Sequence, residues 1–208
     1  MPRFARLLAA AVLLCASTLT VSAQAPTTPA PTVRIRGIIQ ALDANILNIK
    51  TREGPVVKVT LNDPLTVGTM KKATLASITV GAYIGTAATP GPDGSLVALQ
   101  VLIFPETSRG VAEGHRPWDL VPNSTMTNAH VEAVVQGNAG NILTLKYKEG
   151  TVNVTVPQGV PIVTPAPAER ADLKPGETII IFAASRAADG TLSTGRITVS
   201  RDGVAPPM

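Results

Sequence analysis

The sequence predicts an all-β protein built as two tandem, small, OB-like five-stranded barrels joined by an ordered linker. Three observations carry this. Short β-rich runs with alternating apolar residues recur between turn signals, the pattern of small barrels and sandwiches. The chain repeats itself: ANILNIKTREG (44–54) matches GNILTLKYKEG (140–150), VKVTL (57–61) matches VNVTV (152–156), Val80-Gly81 aligns with Pro175-Gly176, and PDGSL (92–96) matches ADGTL (188–192). The offset stays at 95 or 96 throughout, a register that chance does not hold across four segments. Within each repeat the order is three strands, a helical turn and two strands, which is that of an OB-like barrel.

The elements follow in order. Residues 1–25, MPRFARLLAAAVLLCASTLTVSAQA, place Arg3 and Arg6 before an apolar run and end in small residues, the layout of a secretory signal peptide. The apolar run, Leu7 to Ala16, is too short to span a bilayer, which needs about 20 residues. Cleavage is expected near Ala23 or Ala25, with a periplasmic or secreted product. The only cysteine, Cys15, leaves with the leader, so no thiol, disulfide or cysteine metal site is expected afterwards. Residues 26–32, PTTPAPT, read as a Pro/Thr tether.

Residues 33–105 form the first expected barrel. Its strands are Val33–Leu42, Ile46–Thr51, Val56–Leu61, Gly81–Ala88 and Leu96–Phe104, with one helical turn at Leu75–Ile78. Residues 106–128 are the linker. Residues 129–201 form the second barrel, with strands His130–Gln136, Asn141–Tyr147, Thr151–Val156, Glu177–Ala184 and Leu192–Arg201 and a turn near Glu169–Leu173. Residues 202–208 are a tail without a strand signal. Each repeat has about 70 residues, near the lower limit for a self-sufficient core, so the two are expected to pack on each other.

Charge excludes one function class. The formal charge is +4, and removal of Arg3 and Arg6 leaves +2. That mild excess, with 3% aromatic residues, is far from the cationic groove and stacking rings of a single-strand nucleic-acid binder. Lys71-Lys72 and Arg34/Arg36 read as solvated charges.

Chemistry-bearing residues concentrate in the linker. Glu113, His115, Arg116, Trp118 and Asp119 are the candidate partner-binding residues. Trp118 is the only tryptophan, and His115 and His130 are the only histidines. The structural reading of Trp118, pinning the linker across the groove between barrels, outweighs that of an exposed anchor for a partner. Imidazole with carboxylates suits a divalent metal, making His115 and His130 the metal candidates beside Glu113 and Asp119. No dense ligand motif supports this, so the expectation is no cofactor, with a divalent metal as the alternative. Ser108 or Ser124 with His115 and Asp119 sketches a triad but lacks a G-x-S-x-G elbow. Paired carboxylates for glycoside cleavage lack aromatic sugar platforms. The protein is therefore expected not to be an enzyme. Asn123-Ser124-Thr125-Met126-Thr127-Asn128 is rich in residues that bond their own backbone, the mark of an ordered loop.

IFPE (103–106), RGVAEGHRPWDLVPNSTMTNA (109–129), DLKPGE (172–177) and RDGVAPPM (201–208) resemble a family of exported bacterial proteins known as a domain of unknown function, with OB-like barrels often in tandem. Some relatives in that family are labelled metal ABC transporter permeases. The resemblance implies an exported location and a fold, and for the label a periplasmic metal-handling accessory, since no span follows the leader. The expected function is a soluble, non-enzymatic binding or structural module of the bacterial cell envelope, with an envelope protein or other periplasmic component as partner. The alternative is a periplasmic metal-binding accessory using His115 and nearby carboxylates.

Overall fold

Alternation of apolar and polar side chains buries one face of a strand and leaves the other outward. In the computed structural model, which describes residues 31–91, 94–137 and 140–206, this pattern resolves into twelve strands. They are β1 (Thr32–Asp43), β2 (Ile46–Thr51), β3 (Val56–Lys72), β4 (Tyr83–Pro90), β5 (Leu96–Ile103) and β6 (Gly114–Pro117), then β7 (Thr125–Gly137), β8 (Gly140–Tyr147), β9 (Gly150–Val156), β10 (Ile162–Pro167), β11 (Thr178–Arg186) and β12 (Leu192–Val199). Single 3-10 turns at Leu75–Ser77 and Arg170–Asp172 fall where a helical turn and a turn, respectively, were expected. The expected signal peptide and tether residues 26–30 lie outside the described residues. Among the described residues no helix is long and apolar enough to cross a membrane.

Five strands close a barrel. β1 pairs antiparallel with β2 and β11, β2 with β3, and β11 with β12. The closing contact is parallel, with Leu192, Ser193 and Thr194 of β12 beside Val59, Thr60 and Leu61 of β3. The interior is filled by Ile39, Leu47, Ile49, Val59, Ile179, Ile181, Ile197 and Val199, all fully or almost fully buried. Each such side chain contributes about 1.5–3 kcal/mol of transfer free energy.

The remaining strands continue the sheet. They pair in the order β5–β4–β7–β8–β9, and β5 also touches β9 in parallel register at Leu96–Val154 and Val97–Thr155. A second core of Ile84, Ala88, Val101, Leu143, Leu145 and Val154 lies among them. β10 joins the two groups, antiparallel to β3 and parallel to β5.

Several expectations are corrected here. The closed barrel does not follow the 33–105 division: it takes β1, β2 and β3 from the first half of the chain and β11 and β12 from the second. β4 and β5, expected inside that first barrel, pair instead with β7 and β9. The two halves carry near-equivalent apolar strands, so one half's last strand pair fits the other half's first three. β3 runs on to Lys72 rather than ending at Leu61, because its extension pairs with β10, a strand the sequence did not announce. β10 hides behind Pro165 and Pro167. The Ala168 amide bonds Val67 O, which sets the alternate positions 165 and 167 on the side away from β3, where β3 asks for no donor. The linker is shorter than expected at its far end. Its last residue is Ser124 rather than Asn128, because Thr125 to Asn128 pair with both β4 and β6. The tail is not structureless, since Arg201 and Val204 bridge and Val204 packs on Met70 and Val163.

Candidate functional site

The linker is tied down by side chains rather than by a core of its own. It opens with a 3-10 turn at Glu106–Ser108. Arg109 grips Glu106 with two bonds, Nε to Oε1 at 2.5 Å and Nη2 to Oε2 at 2.6 Å. The Arg109 bond holds the Glu106 carboxyl below its ordinary range, and Glu106 in turn raises Arg109. Nη1 of Arg109 also donates to Gly81 O at 3.0 Å and contacts His130 Nδ1 at 2.9 Å. Further along, Val111 O accepts from the Tyr83 hydroxyl at 3.0 Å and from Asn128 Nδ2 at 3.1 Å. Burial pushes the Tyr83 hydroxyl up, and the nearby Glu113 charge adds to the shift. Gly85 makes room for this arrangement, because a Cβ there would lie 2.8 Å from Asn128 Oδ1. β6 then adds to β7, with His115 opposite Thr127.

The linker next crosses the outer face of β1. Inward Ile35 and Ile39 alternate with Arg34 and Arg36, which face out. Asp119 receives Arg36 Nη2 on Oδ1 at 2.8 Å and Arg36 Nη1 on Oδ2 at 2.9 Å, and Arg34 Nη1 joins at Oδ1, 3.0 Å away. This is the two-pronged guanidinium–carboxylate geometry. The Arg36 hydrogen bonds, then the charges of Arg36 and Arg34, hold the Asp119 carboxyl far below the usual carboxylate range. Arg34 lies 4.0 Å from the Trp118 ring centre, Arg36 5.5 Å and Arg116 5.9 Å, all within cation–π reach. From the β2–β3 turn, Arg52 donates to Asp119 O at 2.8 Å and Leu120 O at 3.1 Å. Ser124 closes the loop: its hydroxyl bonds Trp118 O and Val121 O, and its carbonyl accepts from the Trp118 amide at 2.8 Å. Arg36 is only 5% exposed, so the reading of Arg34/Arg36 as solvated charges fails for this residue. The signal that would have found it is the spacing of two arginines on one strand face.

Leu120 reaches beyond this cluster. It lines a groove of about 550 Å³ together with Lys72 of β3, Leu99 of β5, Ile162 of β10, Val204 and Pro206. The groove therefore draws its walls from the linker, from the strand that joins the two groups and from the C-terminal segment.

The two histidines are not brought together. His115 Nδ1 meets Thr127 Oγ1 at 2.8 Å, and its ring stacks on Tyr147 at 6.3 Å. His130, three residues beyond Thr127 on an unbroken stretch of β7, points to the opposite face, against Tyr83 and Arg109. Since arginine only donates, His130 Nδ1 presents its lone pair to Arg109. Among the described residues no three His, Cys, Asp or Glu gather around one point. Glu113 is exposed near Tyr83, and Asp119 is bound to arginines. The Ser124 hydroxyl is committed to Trp118 and Val121, while Ser108 sits in the first turn of the linker. Neither serine has a histidine bond among the hydrogen bonds of the described residues. Arg116 donates Nη1 to Ala112 O at 2.8 Å, and burial lowers it from the ordinary arginine value.

Sequence reasoning placed Trp118 and Asp119 but missed Arg34, Arg36, Arg52, Tyr83 and Asn128, which hold the linker from distant strands. No protein-family model matches the chain, and neither curated proteins nor solved structures give a significant match.

Proposed function

We propose that the protein is an exported, non-enzymatic binding module of the cell envelope, with two OB-like five-stranded barrels that exchange strands and present the linker as the partner-binding face. The observation that carries this reading is the linker held on the outer face of β1 by Arg34, Arg36 and Arg52, with its Leu120 forming one wall of a groove shared with Lys72, Leu99 and Ile162. A segment fixed this firmly by residues far away in sequence is a preorganised surface, and preorganisation lowers the ordering cost of binding. Val111, Glu113, His115, Pro117 and Val121 stay exposed on it. The exchanged second barrel rests on the β5–β9 contact, the counterpart of the β12–β3 closure, with β5 one repeat length before β12 and β9 one repeat length after β3. Export rests on the leader-like residues 1–25.

The test is affinity capture from solubilised cell envelope, with the protein immobilised and captured proteins identified by mass spectrometry. A partner retained by the protein and lost with Val121→Asp, in a variant that still melts cooperatively, supports the reading. Equal recovery by both sinks the linker as the binding face.

A further inference from the structure

The linker surface is unbalanced in charge. Arg34, Arg36 and Arg116 surround Trp118, and Arg52 holds the backbone just beyond it. Against these four guanidinium groups stand three carboxylates: Asp119, shared by Arg34 and Arg36, Glu53, 3.6 Å from Arg52, and the exposed Glu113, which like Arg116 acts on Tyr83. Arg116 makes its hydrogen bond to a neutral carbonyl, and among the described residues no carboxylate lies within ion-pair distance of it. Arg36 is buried with its Nε lacking a partner, a donor cost that folding normally avoids. Lys72 adds a further cation on the groove wall beside Leu120.

The same outward face carries apolar surface. Ile38 follows Arg34 and Arg36 at the alternate position of β1 and is 48% exposed. Phe182 of β11, 47% exposed, sits at the register shift opposite Arg34. An indole flanked by guanidinium groups, with an exposed aliphatic side chain on the same face of β1 and an exposed aromatic one opposite Arg34, complements a ligand that has carboxylates and some apolar surface. Asp119 already shows the geometry by which this site takes a carboxylate.

We infer that the linker face binds an acidic segment of a protein partner, its carboxylates pairing with Arg34 and Arg116 over Trp118 and its apolar side chains resting on Ile38 and Phe182. This rests on the linker being the partner-binding face, and it adds the partner's chemistry. Guanidinium pairs to carboxylates give orientation and salt-sensitive association rather than bulk affinity.

Trp118 is the only tryptophan in the chain, so its fluorescence reports this site alone. The experiment titrates the protein with a fluorescein-labelled peptide of alternating glutamate and leucine, reading peptide anisotropy and Trp118 emission, with an alternating lysine–leucine peptide as control. The acidic peptide is expected to raise anisotropy and change Trp118 emission, and the lysine peptide to do neither. Affinity is expected to fall about tenfold or more between about 50 mM and about 300 mM salt, as screening shortens the reach of the charges. Arg116→Gln and Arg34→Gln are each expected to weaken binding roughly three- to tenfold, the scale of an exposed or part-buried charge contact, without loss of the cooperative melt. An unchanged Trp118 signal, or equal binding by the Arg116→Gln variant, overturns the inference. Binding to phosphatidylglycerol vesicles with none to the peptide overturns it in favour of a membrane surface. Capture of an envelope protein that is lost with Val121→Asp but insensitive to salt and to Arg116→Gln overturns the acidic chemistry while leaving the linker face standing. No capture and no peptide binding overturns both.

Discussion

Leu192 of β12 lies beside Val59 of β3 in parallel register, and this pairing closes the barrel with a strand from near the C-terminal end of the described chain. Both residues belong to one buried cluster. The barrel's stability therefore depends on residues from opposite halves of the sequence.

Cutting the chain in the linker tests this dependence. Fragments 31–105 and 106–206 each lack strands that the barrel needs, since β11 and β12 are missing from the first and β1 to β3 from the second. Each fragment alone is expected to show no cooperative thermal transition. Mixing the two is expected to restore one, read by circular dichroism at a strand-sensitive wavelength. Cooperative melting by the first fragment on its own would contradict the observed pairing.

Ile197 on β12 is 1% exposed and packs in the same cluster as Leu47 and Ile49 of β2. Ile197→Ala is expected to cost about 2–5 kcal/mol, the range for removing a buried isoleucine side chain to alanine. Hydrogen exchange locates the damage. Amides of β1–β3 are expected to lose protection before those of β7 and β8, although β7 and β8 lie closer to β12 in sequence.

At Gly37 the β1 backbone leaves no room for a side chain against β2. A Cβ there would meet Lys50 O at 2.2 Å and Ile49 Cγ2 at 2.6 Å, and the first of these is backbone that cannot swing aside. Gly37→Ala is expected to destabilise by about 1–3 kcal/mol, the scale of overpacking a filled site. Chemical denaturation measures it, and a neutral result would mean that the two strands separate more easily than their register implies.

Acid weakens the grip on the linker. Asp119 has its carboxyl lowered by Arg36 and Arg34, so below the ordinary carboxylate range the unfolded chain takes up a proton that the folded protein resists. Stability from this group is then fully present above its unfolded pKa and is lost as pH falls toward the lowered folded value. The carboxylate is 53% exposed, so solvent screening keeps the effect to about 1 kcal/mol or less. Asp119→Asn is expected to lower the melting temperature slightly at pH 7 and to flatten its decline between about pH 4 and pH 2, the window in which an ordinary carboxylate protonates. A variant with the same acid decline as the parent would remove Asp119 as its source.

Much of the strand pattern was legible because alternation is a local property. β2, β8 and β9 fell within a residue of their expected bounds, each marked by pairs such as Leu47 and Ile49 or Leu143 and Leu145. What local pattern does not encode is choice of partner. β4 and β11 are both apolar strands in equivalent positions, and nothing in either sequence says which three-strand group it joins. β10 was invisible because its prolines fall where the strand pairs with β3 alone and donors are needed on one side only. At the linker, Trp118 and Asp119 stood out by composition, whereas Arg36 and Arg52 act across the fold and acquire their role only when β1 and the β2–β3 turn come beneath the loop.

The exchange of strands also sets an order of events in time. β1, β2 and β3 leave the ribosome well before β11 and β12, a gap of about 100 residues that at ordinary elongation rates lasts on the order of ten seconds. Throughout that interval β1 and β3 have unpaired edges and the barrel has no means of closing. The barrel is thus held open until β11 and β12 have been made. The same delay makes an early stop in translation leave behind a three-stranded, edge-exposed remnant rather than a smaller folded protein.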